Sequence, residues 1–113
     1  MAKCLAVLLM CFSTVTSSAG GFLDGNKLLE LLKEQSGEDR AAGVAYVLGV
    51  VDALNKQRTQ YKQCFALPER VTSTQVADVV QQFLERNPSG RHFQGANLAA
   101  SALETAFPCS NKP

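Results

Sequence analysis

The sequence predicts an all-α domain: a small bundle of about four helices, with one disulfide clasping its C-terminal helical hairpin. Three observations carry this. Apolar residues recur at three- and four-residue steps through each long segment, without the sustained alternation of a half-buried strand. Helix-starting and helix-stopping residues fall between those segments. Cys64 and Cys109 bracket the last two of them.

The first helix is expected at about 26–35, with Asn26 as its cap and Gly37 as its stop. Leu28, Leu29, Leu31 and Leu32 form its stripe, and Glu30, Lys33 and Glu34 face water. The second helix is expected at 38–57. Glu38 and Asp39 suit its positive N-terminus, and its middle, AAGVAYVLGVVDAL, is apolar almost all round. Such a helix is expected to be central and covered on several sides. Ala42, Ala45, Gly49 and Ala53 give it one narrow face open to close approach by another backbone. The β-branched Val44, Val47, Val50 and Val51 favour a strand locally, but the run is too long and lacks alternation.

The third helix opens on a capping box, Thr72 with Gln75, and carries Val76, Val79, Val80, Phe83 and Leu84 at helical spacing. Asn87-Pro88 ends it, because a residue before proline avoids the helical region. The fourth helix is expected at 92–106 with a stripe of Phe93, Ala96, Ala100, Leu103 and Phe107, stopped by Pro108. If the last two helices are antiparallel, the start of one meets the end of the other, where Cys64 and Cys109 sit.

Residues 1–19 have the parts of a secretory leader: Lys3, an apolar core at 4–12, and Ser17, Ser18 and Ala19 before the cleavage point. The core is too short to span a bilayer, which takes about 20 apolar residues. The expected arrangement is a signal peptide at 1–19 and a single exported, soluble domain at 20–113. Cleavage removes Lys3, so the chain's 11 cations fall level with its 10 acids. An even balance gives no global field to draw in nucleic acid or an anionic membrane. Cleavage also removes Cys4 and Cys11. The remaining pair, Cys64 and Cys109, is then a structural disulfide, since neither cysteine sits in a CxxC motif. A loop of about 45 residues closed this way gains roughly 4 kcal/mol in chain-entropy terms.

Residues that could carry chemistry are sparse. There is one histidine, His92, with no HExxH, no zinc-spaced cysteine pair, no GxSxG and no phosphate loop. Asp52 interrupts an apolar helix. It is expected to be half-buried and paired with Arg58, Arg86 or Arg91, because a lone buried carboxylate is costly. An acid catalyst is the alternative role for it. No catalytic residue, metal or cofactor is expected, and function falls to the surface. Two surface segments stand out. The first is the turn at 87–93, with Asn87, Ser89, Gly90, Arg91 and His92 protruding between two helices. His92 serves there either as a surface or capping residue or as a partner contact. The second is the run at 55–63, where Lys56, Arg58 and Lys62 have no acid among them. That run is either a contact patch for an acidic partner or a solvated helix end.

Several stretches together resemble a known family. They are AGVAYVLGVVDAL at 42–54, CFALPERVTSTQVADVVQQFLERNPSGRH at 64–92, and ALETAFPC at 102–109. Within them, Tyr46, Gly49, Asp52 and Ala53 match a central-helix element. Asn87, Pro88, Arg91 and His92 match a turn, and Phe107, Pro108 and Cys109 match the ending. In these the chain is similar to the periplasmic immunity proteins that protect bacteria from type VI secretion amidase effectors, the Rap/Tai family. The resemblance implies a periplasmic all-α homodimer that binds a cell-wall amidase and occludes its active-site groove without doing chemistry. It further implies that the shared motif residues build the fold, and that recognition falls on less patterned exposed positions. Members often carry a second cysteine pair tying the first helix to the second. Here Leu32 and Gly43 stand in that neighbourhood, and the spacing from Cys64 to Pro68 is slightly long for the family. Two other readings are open: a small helical periplasmic stress or chaperone-like protein, and an enzyme or small-ligand carrier with an enclosed pocket.

Overall fold

The computed structural model describes residues 22–35, 37–56 and 64–109. The predicted leader lies outside the described residues, as do Arg58 and Lys62 of the basic run. The chain order is α1 (Gly25–Lys33), α2 (Glu38–Lys56), α3 (Ser73–Arg86), a short 3-10 turn (Pro88–Gly90) and α4 (Gly95–Ala106). This is the predicted all-α architecture. Each of the four helices packs against the other three.

A single apolar cluster fills the centre. Leu28 and Leu32 of α1, Val47 of α2, Val80 and Leu84 of α3, and Leu103 of α4 are its largest fully buried side chains. The leucine stripe of α1 and the valine-leucine stripe of α3 point into it as their spacing requires. On α4, Ala99, Ala100 and Ala102 are also buried, which brings its backbone close to its neighbours.

The helix ends explain themselves through their donors. In α3, the Thr72 hydroxyl accepts from Gln75 N–H and the Gln75 side chain accepts from Thr72 N–H, the expected capping box. In α1, the cap is Asp24 rather than Asn26, and Asp24 Oδ1 accepts from Lys27 N–H at 2.8 Å. Between α1 and α2, Gly37 adopts φ +91°, a conformation that strains any residue with a Cβ. Arg40 at the start of α2 ties three helices together. Its guanidinium donates to the Leu32 carbonyl at the end of α1 and reaches Asp78 and Gln81 on α3 at 3.2 and 3.3 Å.

The clasp is present. Cys64 and Cys109 are joined, with Cα atoms 5.5 Å apart. Phe65 pairs antiparallel with Pro108, Ala66 N–H donates to Phe107 O at 2.9 Å, and Cys64 N–H donates to Glu104 Oε1 at 2.9 Å. The two ends of the α3–α4 hairpin are therefore stitched as well as bonded.

Three expectations are corrected. α4 begins at Gly95, so His92 and Phe93 belong to the preceding turn and Phe93 is exposed instead of lying in the apolar stripe. Asp52 is exposed and needs no buried partner; Arg91, one of those considered for it, is engaged elsewhere. α2 packs against three helices but is not covered all round: one face is open. Gly43, Val47 and Val51 are buried, whereas Ala41, Ala42, Ala45, Gly49 and Ala53 lie exposed.

Candidate partner-binding surface

The turn between α3 and α4 is fixed by backbone hydrogen bonds to the start of α1. Gly25 N–H donates to Phe93 O at 3.0 Å, Asn26 N–H to Arg91 O at 3.1 Å, and Gly95 N–H to Leu23 O at 2.8 Å. Asp24 and Gln94 pair antiparallel between them. The approach is close enough to require glycine. A Cβ on Gly25 would stand 2.8 Å from the Arg91 carbonyl oxygen, and one on Gly95 would stand 3.1 Å from the Leu23 oxygen. Within the turn, Gly90 N–H donates to Asn87 O, Arg91 N–H to Pro88 O and Phe93 N–H to Gly90 O. Segment 87–95 is thus a rigid ledge on the helical scaffold.

The residues singled out in the sequence divide here into two groups. Arg91 and Asn87 serve the scaffold. Arg91 Nε donates to Leu84 O at 2.7 Å and its guanidinium also reaches Glu85 O at 3.0 Å, so this cation satisfies carbonyls in the last turn of α3. Asn87 Nδ2 donates to Phe83 O at 2.8 Å at the same helix end. Ser89 and His92 are exposed, and Gly90 is half-buried. Lys56 is the last residue of α2. Arg58 and Lys62 of the basic run lie outside the described residues.

Among the described residues, the large apolar side chains left exposed are Phe22 and Phe93, at 104% and 58%. Sequence reasoning placed Phe93 in the stripe of α4 and gave Phe22 no role. No local capping signal marked this boundary: the residue before α4 is Gln94, which is not a favoured cap and whose side chain caps nothing. The Phe93 ring stacks against His92, with centroids 4.1 Å apart and planes tilted by 36°. It also lies over Gly90, where a Cβ would come within 3.9 Å of the Phe93 ring.

Elsewhere the surface is gently contoured. A groove of about 510 Å³ beside α3 is walled by Pro68, Val71, Val79 and Phe107. No cluster of metal-ligating side chains occurs among the described residues.

Among the described residues, then, a hydrogen-bonded turn bearing an exposed aromatic side chain sits on a clasped four-helix scaffold. The sequence profile of the Rap1a immunity proteins matches residues 24–109, well over half of the chain. The chain belongs to the Rap1a immunity protein family. Membership indicates an immunity function exerted on a partner protein, and a role as inhibitor instead of enzyme. No curated protein matches the sequence.

Proposed function

We propose that this protein is a periplasmic immunity protein that binds a type VI secretion peptidoglycan amidase effector and occludes its active-site groove. It thereby protects the cell from its own and its siblings' toxin. The observation that carries this reading is the family match across all four helices. The leader-like sequence at 1–19 and the Cys64–Cys109 disulfide support an exported, oxidising location. Inhibition by occlusion asks for a rigid protruding element, and the pinned turn at 87–95 supplies one.

The test is co-expression. An amidase effector exported to the periplasm lyses cells, and this protein, exported with it, restores growth and co-elutes with it as a complex. Lysis that proceeds regardless, with no complex, defeats the reading.

A homodimer belongs to the same proposal. The exposed small-residue face of α2 supports it, since Gly49 has open space beyond its Cα and Ala42, Ala45 and Ala53 flank it. Sedimentation of the purified protein decides between one copy and two.

A further inference from the structure

We propose that Phe93, braced by His92, is the anchor through which the turn engages its partner, and that the surface it fits is a protein cleft offering an apolar or aromatic-lined pocket. The proposal rests on the immunity reading above and names the contact on which that reading depends.

The outward chemistry of the turn is what remains once its internal bonds are made. The Arg91 guanidinium is turned inward onto Leu84 and Glu85 carbonyls, and the Asn87 amide onto Phe83. Asn87, Pro88, Ser89, His92, Phe93 and Gln94 are the exposed residues of the turn. The turn thus presents a large exposed aromatic side chain, while its cation is engaged with α3 carbonyls. A phenyl ring 58% exposed forfeits hydrophobic stabilisation in the free protein, and burial by a partner recovers it.

Preorganisation strengthens the case. An aromatic anchor gives a hot spot when it enters a desolvated pocket at little conformational cost. Here the Phe93 carbonyl is held by Gly25 N–H, its own N–H is held by Gly90 O, and its ring rests on His92 and over Gly90. Pairing between 23–26 and 91–95 sets the start of α1 beside the turn, and Phe22, also exposed, immediately precedes the paired segment. A projecting ring needs a concave partner, and an enzyme's substrate cleft is concave and largely apolar. The exposed face of α2, in contrast, carries only small side chains and is suited to a flat contact.

The experiment uses a panel of recombinant cysteine-histidine cell-wall amidases, each with its nucleophile replaced by alanine, titrated against the protein purified from the periplasm. Phe93→Ala is expected to weaken binding by about 30-fold or more, while Phe93→Tyr stays within roughly threefold of wild type. Glu69→Ala, an exposed position at the clasp end of the hairpin, serves as the control and is expected to change nothing. Raising salt to about 0.5 M is expected to change wild-type affinity by less than roughly fivefold, as short-range apolar contact requires. Urea midpoints of the variants, expected to match wild type, separate lost contact from lost fold. Wild-type protein that binds an amidase while Phe93→Ala binds it equally overturns the anchor and leaves the immunity reading standing. A Phe93→Ala effect on sedimentation alone also overturns it, because the ring then serves self-association. Wild-type protein that neither binds an amidase of the panel nor protects against one removes the functional reading, and the anchor falls with it.

Discussion

Single side chains in this protein do work that their chemical type leaves ambiguous. Arg91 is the sharpest example. A cation near a helix end suits either solvent and a partner or the helix's own carbonyls, and only the backbone path of 87–91 decides. The decision went to the carbonyls of Leu84 and Glu85. Arg91→Ala is therefore expected to cost about 1.5–3 kcal/mol of stability, the range for hydrogen bonds to a charged donor, in urea unfolding. Arg91→Lys recovers little of it, because an ammonium lacks the fork that spans two carbonyls. Charge reversal at Arg91 thus tests the fold before it tests binding. Leu32 and Gly43 were noted together in the sequence as the site of an absent cysteine pair, and they do meet. A Cβ on Gly43 would lie 3.1 Å from Leu32 Cδ2, and Leu32 is fully buried. The two positions meet by close packing of a leucine side chain on a glycine. Leu32→Ala is expected to cost about 2–5 kcal/mol, and Gly43→Ala roughly 1 kcal/mol through overpacking, both read from urea midpoints.

At the scale of elements, helix type and order were legible because apolar spacing is a local property. The boundaries were legible only where the cap is local too. The Thr72–Gln75 box is self-contained within four residues, and it was placed correctly. Thr72→Ala is expected to cost about 1 kcal/mol in the same assay. The start of α1 was missed by one residue because its donors are satisfied from elsewhere in the chain. Lys27 and Leu28 N–H bond back to Asp24, but Gly25 and Asn26 N–H bond across to 93 and 91. The same exchange delays α4, since His92 and Phe93 lie in the segment whose carbonyls serve α1. The exposed side of α2 was also misjudged. A helix apolar all round gives no preferred direction, so its sequence cannot say which side the core will take. That side yields a prediction of its own. Ala45→Glu is expected to leave the thermal midpoint nearly unchanged and to shift the sedimenting species toward one copy, since Ala45 is exposed in the single chain.

For the whole molecule, the clasp and the turn lie at opposite ends of the α3–α4 hairpin, separated by the 14 residues of α3, about 21 Å of helix. Replacing Cys64 and Cys109 together by serine is expected to cost about 2–5 kcal/mol in urea unfolding. Binding through the turn should survive wherever the variant remains folded, which titration at low temperature checks. The separation has a practical corollary in how the molecule is held. The entry at 22–24 and the first residues of α1 run alongside the turn, whereas 107–109 closes the far end. On the proposed reading of the turn, a bulky tag or surface tether placed just before Phe22 is expected to crowd that edge and slow association. The same tether after Cys109 would leave that edge facing free solution. The molecule thus has a handle and a tip.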